Sequence, residues 1–208
     1  MNRYDPGEPR GLRTAWCGPL RAEDEGRVVS VCGWISTRRE HSQHLAFVDL
    51  RDRTGIVQCV VDHAHDLRPE HVARITGTVR RRPAGMENAK LATGEIEIGD
   101  CDVEILATAE GSPFPVDGRA DDVDETTRLR YRYIDLRRDR MQRNLRTRSV
   151  VNGAIRRAME RQGFVEIETP MLIASTPEGA RDFVVPARLK PGSFYALPQS
   201  PQLFKQLC

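Results

Sequence analysis

Five short runs rich in β-branched and aromatic residues are the feature that most constrains the fold of this chain. They occupy residues 28–35, 45–50, 56–61, 72–79 and 95–106. Gly33 and Gly77 interrupt the first and fourth runs, and a glycine inside a strand favours a bulge or a sharp bend. Five short, curled strands tend to close into a small barrel, so we predict an OB-fold over residues 1–108. A β-sandwich is the competing architecture.

The second and third runs are separated by a turn signal, the sequence DRTG at residues 52–55. A short polar turn that contains glycine between two β-rich runs is typical of a hairpin. We therefore predict that these two runs pair with each other in antiparallel fashion.

The composition changes after the barrel. Residues 109–126 contain Pro113, Pro115 and two glycines, followed by an acidic stretch. Such a segment does not hold a helix or a central strand, so we predict an interdomain linker there. Residues 127–208 are then predicted to form the beginning of a second domain.

The second domain begins with a helical pattern over residues 139–162, in which apolar residues recur on one face and arginines on the other. Gly163 is a natural stop, and residues 164–169 alternate as in a strand that Pro170 ends. Near the end of the chain, Ser200 and Pro201 fit the N-cap and first turn of a helix. Because the sequence ends just after this helix starts, we expect a chain that stops in mid-domain.

Charge and composition exclude several classes of protein. With 32 basic and 30 acidic residues the net charge is +2, so no global basic field exists, although local basic patches are possible. No stretch approaches the roughly 18 apolar residues of a membrane helix, and residues 1–13 lack the apolar core of a secretory signal. The five cysteines form no CxxC pair, which argues against a zinc site and a disulfide framework. We expect a cytoplasmic protein without a metal site.

Two polar loops in the second half suggest a pocket for a polar amino acid. Glu178 offers an anion for an ammonium group, and Lys205 offers a cation for a carboxylate. Gln202 lies one helical turn before Lys205, so both side chains can face one pocket. Taken singly, Glu178 and Lys205 are equally compatible with surface charges or helix caps.

The barrel carries residues suited to nucleic acid. Phe47 offers a ring on which a base can stack, and Arg38 and Arg39 can meet phosphates. Gln58 and Glu95 can hydrogen-bond the edges of an unpaired base. The alternatives are that Phe47 belongs to the core and that the two arginines are a solvated strand end.

Six stretches of the chain carry a family resemblance: GWISTRR, FVDLRDRTGIVQ, ATGEIEI, RLRYRYIDLRR, GFVEIETPMLIASTPEGARDF and GSFYALPQSPQLFKQL. Together they resemble the bacterial-type aspartyl-tRNA synthetases, which are class II enzymes of subgroup b. STPEGARDF and YALPQSPQLFKQ are the most specific, because the asparaginyl and lysyl relatives differ there. The resemblance implies an α+β multidomain protein: an OB-fold barrel followed by the start of the antiparallel α/β catalytic domain of class II synthetases.

The resemblance also implies roles for individual residues. Arg39, Phe47, Gln58 and Glu95 match positions that contact the tRNA anticodon, and Glu178, Ser200, Gln202 and Lys205 match positions that bind L-aspartate. Lys205 would pair with the side-chain carboxylate of the substrate, and Glu178 would lie at its ammonium group. The helix and strand that end at Pro170 resemble motif 1, which builds a homodimer interface.

The implied activity is that of an aspartate–tRNA ligase with ATP as a substrate and Mg²⁺ as a cofactor. Aspartate would be activated to aspartyl-adenylate and then transferred to the 3′ end of tRNA-Asp. The catalytic residues and the Mg²⁺ ligands belong to motifs 2 and 3, which we expect beyond Cys208. No catalytic residue is therefore expected within this chain, which alone should be inactive.

Two positions bear on the choice of tRNA. A histidine at the position of His41 and a glycine at that of Gly85 resemble the non-discriminating subtype, which also charges tRNA-Asn. The physical idea is that no bulkier apolar side chain at position 41 rejects the third anticodon base. Two other hypotheses are a free-standing tRNA anticodon-binding module and another subgroup b synthetase, such as the asparaginyl or lysyl enzyme.

Overall fold

A computed structural model describes residues 7–42, 44–62, 66–116, 122–176 and 181–208. The chain divides into two compact units, Met1–Arg143 and Asn144–Cys208. Glu178 lies outside the described residues. The domain boundaries drawn from the sequence stay a prediction.

Five strands of the first unit close into a barrel with the order β1-β2-β3-β5-β4. Neighbouring strands run antiparallel except β3 and β5, which are parallel. The predicted OB-fold is therefore confirmed, as is the hairpin of the second and third runs. The strands are β1 (Val28–Glu40), β2 (Leu45–Asp52), β3 (Gly55–Asp62), β4 (Val72–Arg81) and β5 (Ile96–Ala107).

The alternation of β2 shows how the sequence assigns its residues to the two faces of the barrel wall. Ala46, Val48 and Leu50 are buried in the interior, while Phe47 and Asp49 are only partly covered. Burying one valine or leucine side chain contributes about 1.5–3 kcal/mol, and every strand supplies such residues. The hydrophobic interior thus holds the barrel closed and leaves the outer face for polar side chains.

The glycines inside β1 and β4 are required by close approaches of the backbone. A Cβ atom on Gly33 would lie 2.3 Å from the carbonyl oxygen of Arg51, and one on Gly77 would lie 2.4 Å from that of Gly99. The pairing of β4 with β5 shifts register between Thr76 and Thr78, which confirms the irregularity predicted at Gly77. In β1 the shift falls between Ile35 and Thr37, beyond the glycine.

The segment that follows the barrel forms a small cluster of its own within the first unit. Phe114 and Val116 are buried together with Ile134. Two short helices follow, α1 (Glu125–Arg130) and α2 (Arg132–Asp135), and a 3-10 turn (Ala22–Asp24) precedes the barrel. The carboxylate of Asp124 caps α1 by accepting from the backbone N–H of Thr127 at 3.0 Å. The proline-rich segment thus contributes apolar side chains to a packed cluster.

A long helix, α3 (Asp139–Glu160), leads into the second unit and confirms the predicted helix, with Gly163 at φ +83° after its end. The unit also holds β6 (Phe183–Pro186) paired antiparallel with β7 (Phe194–Leu197), and α4 (Gln202–Lys205). The strand predicted over residues 164–169 was wrong, since these residues join no β-ladder among the described parts of the chain. An alternating sequence becomes a strand only where a partner edge completes its hydrogen bonds. In the described segments, no helix has the length and apolarity needed to cross a membrane.

Candidate nucleic-acid interface and amino-acid pocket

Three of the predicted residues, Arg39, Phe47 and Gln58, lie close together on the outer face of β1, β2 and β3. Arg39 is the register partner of Phe47, and Asp49 is the register partner of Gln58. Since side chains alternate along a strand, Phe47 and Asp49 project from the same side of β2. The barrel therefore presents Arg39, Phe47 and Gln58 on one surface.

A continuous chain of hydrogen bonds crosses this surface. Arg39 Nη2 donates to Asp49 Oδ1 and to Gln58 Oε1, each at 3.1 Å. Gln58 Nε2 donates to Glu97 Oε2 at 3.0 Å, and Arg80 Nε donates to Glu97 Oε1 at 2.9 Å. Thr37 Oγ1 donates to Asp49 Oδ2 at 2.6 Å. We call these six residues the polar network: Thr37, Arg39, Asp49, Gln58, Arg80 and Glu97.

The polar network is buried at its centre and open at its two guanidinium groups. Gln58 and Glu97 are 8% and 4% exposed. The side chains of Arg39 and Arg80 are 54% and 45% exposed. The Gln58 amide is held at both ends, its oxygen towards Arg39 and its nitrogen towards Glu97, so its orientation is fixed before any ligand binds. Two accessible cations on either side of a fixed amide suit a ligand with phosphates and base edges.

An aromatic pair borders the polar network. Phe47 is half-buried, and its ring centroid lies 5.2 Å from that of the exposed His41, with the two planes inclined at 59°. The backbone N–H of His41 donates to the carbonyl of Leu45 at 2.9 Å, which closes the loop between β1 and β2. A half-exposed aromatic ring beside accessible arginines is the combination by which OB-folds stack unpaired bases.

The sequence did not single out Glu97, Arg80 or Arg82. Glu95 is exposed just before β5, and Glu97 enters the polar network because it is the register partner of Arg80. Arg82 is buried, and its Nε donates to the carbonyl of Ile96 at 2.9 Å. Burial lowers the pKa of the Arg82 guanidinium, against the opposing effect of the Glu97 and Asp49 carboxylates. What distinguishes Glu97 from Glu95 is the pairing register of β4 with β5, which places Glu97 opposite Arg80.

Gly85 lies in the loop between β4 and β5, where the backbone requires it. Its φ of +83° is in the left-handed region, although a Cβ atom there would meet nothing within 4 Å. Its backbone N–H donates to the Glu87 carboxylate at 2.9 Å. The loop therefore turns at a position where any other residue would be strained.

The predicted amino-acid pocket is only partly within the described chain. Ser200, Gln202 and Lys205 are exposed, and the Ser200 hydroxyl accepts from the backbone N–H of Gln202 at 3.3 Å. The N-cap of α4 is Pro201, one residue after the predicted Ser200. Gln202 and Lys205 are three residues apart in α4, hence on one side of it. Since Glu178 falls among the residues not described, the pocket that it was expected to form with Lys205, with one charge for each end of aspartate, stays a prediction.

Across residues 7–42, 44–62, 66–116, 122–176 and 181–208, no three His, Cys, Asp or Glu side chains are grouped so that they could hold a metal ion.

Models of two known protein families match two separate parts of the chain, the barrel and the region after it. Residues 29–108 match the model of an OB-fold nucleic acid binding domain. Residues 124–208 match the model of the class II tRNA synthetases (D, K and N).

Curated relatives match almost the whole chain. A protein of Corynebacterium aurimucosum named aspartate–tRNA(Asp/Asn) ligase is 52% identical over 204 residues, which are 94% of this chain and 34% of the relative. A protein of the same name from a Nocardioides species is 54% identical over 199 residues, 94% of this chain and 33% of that protein. The chain thus spans about a third of the length of these relatives. The resemblance seen in the sequence motifs is confirmed.

Solved structures share the fold at low sequence identity. The asparaginyl-tRNA synthetase of Pyrococcus horikoshii, complexed with asparaginyl-adenylate, matches 93% of this chain with 44% of its own, at a TM-score of 0.74 and 22% identity. A putative aspartyl-tRNA synthetase from Leishmania major matches 98% of this chain with 42% of its own, also at 0.74 and 22%. At this identity the likeness concerns the fold.

Proposed function

We propose that this chain, whose residues 124–208 match the model of the class II tRNA synthetases (D, K and N), is the anticodon-binding and amino-acid-selecting part of an aspartate–tRNA ligase. The names of the curated relatives support the proposal, since each is an aspartate–tRNA(Asp/Asn) ligase at 52–54% identity. The complete ligase would be a cytoplasmic enzyme that uses L-aspartate, ATP and tRNA.

The polar network beside Phe47 is the observation that carries the proposal. A single-stranded anticodon exposes base faces, base edges and phosphates at once. Phe47 supplies a stacking surface, Gln58 a fixed amide and Arg39 an accessible guanidinium, and each suits one of these groups. Because the buried Glu97 already orients Gln58, the amide loses little conformational entropy when a base pairs with it.

The reaction of the complete ligase would proceed in two steps. The α-carboxylate of aspartate attacks the α-phosphorus of ATP, so that pyrophosphate leaves and aspartyl-adenylate forms. A hydroxyl of the terminal tRNA ribose then attacks the acyl carbon, and AMP leaves. In this scheme Lys205 pairs with the side-chain carboxylate of aspartate, and Glu178 with its ammonium group. Asparagine has no charge to match Lys205, so the pocket disfavours it.

The ligase would accept both tRNA-Asp and tRNA-Asn. These tRNAs differ in the third anticodon base, which is C in one and U in the other. His41 lies against Phe47 with an exposed, polar ring. Such a ring does not sterically exclude either pyrimidine. The names of the relatives, which give both tRNAs, favour this subtype.

The exposed apolar residues of the second unit support a homodimer of the complete ligase. Val151 and Ile155 on α3, and Phe164 and Val165 after it, are 48–82% exposed. Large exposed apolar patches usually mark an interface or a covering domain. The same exposure argues against the alternative function, a free-standing anticodon-binding module, because that module would leave these residues in water.

The test is a charging assay with the complete polypeptide that carries this sequence, using L-aspartate, ATP and transcripts of tRNA-Asp and tRNA-Asn. We expect aspartate to be attached to both transcripts. Lack of any attachment to tRNA-Asp would exclude the ligase, and attachment to tRNA-Asp alone would exclude the non-discriminating subtype. The matched control is Lys205→Met, for which we expect loss of aspartate activation with anticodon binding intact.

A further inference from the structure

Two guanidinium groups from distant parts of the first unit meet at one carboxylate, that of Glu70. Its Oε1 accepts from Arg51 Nη2 at 2.8 Å, and its Oε2 accepts from Arg137 Nη1 at 2.9 Å. The side chains of Glu70 and Arg51 are only 11% and 15% exposed. Shielding of this kind makes the carboxylate a stronger partner for Arg137 than a fully solvated one would be.

Arg137 also lies over an aromatic ring of the barrel. Its guanidinium carbon is 5.5 Å from the ring centroid of Trp34, within the range of a cation–π contact. Trp34 on β1 is the register partner of Arg51 on β2. Two barrel segments therefore contact Arg137 directly, β1 through Trp34 and the connection before β4 through Glu70. Arg51 on β2 acts indirectly, because it holds the other oxygen of the Glu70 carboxylate.

The backbone of Glu70 is held in a conformation that side chains other than glycine rarely adopt. Its φ is +66°. The N–H of Glu70 donates to the carbonyl of Ile35 at 2.8 Å, and the N–H of Ile35 donates to the carbonyl of His71 at 2.9 Å. Strained residues of this kind persist where the surrounding structure determines them, and they are often functional. Here the strain places a carboxylate between two arginines.

The segment that contains Arg137 is itself internally braced. Asp135 is fully buried and Arg138 is 4% exposed, and Arg138 Nη1 donates to Asp135 Oδ1 at 3.1 Å. Arg132 also donates to the carboxylate of Asp135. Because these ion pairs hold residues 132–138 together, a contact that restrains Arg137 restrains the whole segment. The next residue, Asp139, begins α3.

We propose that Glu70 is a positioning residue that captures Arg137 and thereby fixes the start of α3 on the barrel. The barrel face that carries the polar network and the beginning of α3 then keep a constant spacing. This capture of Arg137 by Glu70 does not depend on which RNA the barrel binds. Its failure would leave the anticodon-binding proposal untouched.

Hydrogen exchange on the 208-residue chain tests this proposal. In Glu70→Gln the amides of residues 125–138 should exchange about tenfold faster, because a charge-assisted bond to Arg137 is lost. The amides of β1 to β5 should change less than twofold. Glu104→Gln is the matched control, since Glu104 pairs with Arg74 at 2.7 Å elsewhere on the barrel, and it should leave residues 125–138 as in the wild type.

A second variant distinguishes the effect of the Glu70 carboxylate from the effect of its backbone conformation. Glu70→Gly removes the side chain but suits the φ of +66°. It should accelerate exchange at residues 125–138 as much as Glu70→Gln does, while the barrel stays folded. Wild-type exchange at residues 125–138 in Glu70→Gly would overturn the proposal, and so would acceleration spread evenly over the barrel in Glu70→Gln.

A double variant provides the last check. Arg137→Met should accelerate exchange at residues 125–138 as Glu70→Gln does, and the double variant should add less than twofold to either. If the two effects multiplied instead, Glu70 and Arg137 would act independently, and the capture of one by the other would be refuted.

Discussion

The guanidinium of Arg39 donates a hydrogen bond to the side-chain oxygen of Gln58 at 3.1 Å, across two strand pairings of the barrel. The nitrogen of the same amide donates to the buried carboxylate of Glu97 at 3.0 Å. The Gln58 amide is thus fixed between the solvent-exposed guanidinium of Arg39 and the buried carboxylate of Glu97.

Truncating Glu97 should destabilise the barrel. Glu97→Ala leaves the Gln58 amide nitrogen without its buried acceptor and removes the partner of Arg80, at a cost of about 1–3 kcal/mol. Urea denaturation monitored by circular dichroism measures this cost. Glu95→Ala, two residues away and exposed, is the matched control and should change stability by less than about 0.5 kcal/mol. Equal effects of the two variants would contradict the assignment of Glu97 to the polar network.

Removing the ring of Phe47 should weaken RNA binding. Stacking of one base on an aromatic side chain contributes about 1–3 kcal/mol, so Phe47→Leu should raise the Kd for a tRNA-Asp anticodon hairpin roughly tenfold. Fluorescence anisotropy at fixed salt gives the Kd. Phe183→Leu is the control, since Phe183 is 80% exposed in the second unit and should not affect the Kd. An unchanged Kd in Phe47→Leu would show that no base stacks there.

Replacing His41 should introduce a preference between the two tRNAs. An apolar, branched side chain beside Phe47 would crowd the third anticodon base, so His41→Leu should bind the hairpin ending in C several-fold better than the one ending in U. The wild type should bind both within about twofold. A preference already present in the wild type would contradict the interpretation of His41.

The buried thiols should resist modification near neutral pH. Burial and the neighbouring Asp52 raise the pKa of the Cys17 thiol, and a hydrogen bond with Cys101 together with burial raises that of Cys59. Because a raised pKa reduces the thiolate fraction, Ellman's reagent should modify the exposed Cys208 well before Cys17 and Cys59. Mass spectrometry of the modified peptides identifies the order. Early modification of Cys59 in folded protein would contradict its burial.

Helix α1 should loosen in acid through its cap. Hydrogen bonds from the backbone of Thr127 lower the pKa of Asp124 below its ordinary value of 3.8. A carboxyl group whose pKa is lowered by folding stabilises the fold above its unfolded pKa, and this contribution is lost as the pH falls through the folded pKa. The amides of α1 should therefore exchange faster, relative to their intrinsic rates, below about pH 4. Asp124→Asn should remove this pH dependence, and an unaltered dependence would assign it to another group.

The barrel was predictable because its pattern is local. The alternation of β2 and the turn that ends at Gly55 both lie in consecutive residues, and they specify which faces of the strands are buried and how β2 pairs with β3. The choice between Glu95 and Glu97 was not predictable in the same way, since both lie on the same side of an alternating run. It depends on where β5 begins and on its register with Arg80, which is a relation between distant segments.

Residues 164–169 show the same limit. Phe164, Val165 and Ile167 have the composition of a strand. No edge in the described part of the chain pairs with them, and they are exposed. An alternating sequence indicates a preference for extended backbone, whereas a β-strand also requires a neighbouring strand that completes its hydrogen bonds. Similarly, the ion pairs of Glu70 join residues up to 67 positions apart, and no local pattern indicates them.

The most direct test of the central claim compares two RNA hairpins that differ only in the middle base of the anticodon loop. One carries the GUC anticodon of tRNA-Asp, and in the other the central U is replaced by A. The wild-type chain should bind the first at least about tenfold more tightly, and Gln58→Ala should abolish most of that difference. Equal affinity of the wild-type chain for both hairpins would contradict the claim that the polar network on this barrel reads an anticodon.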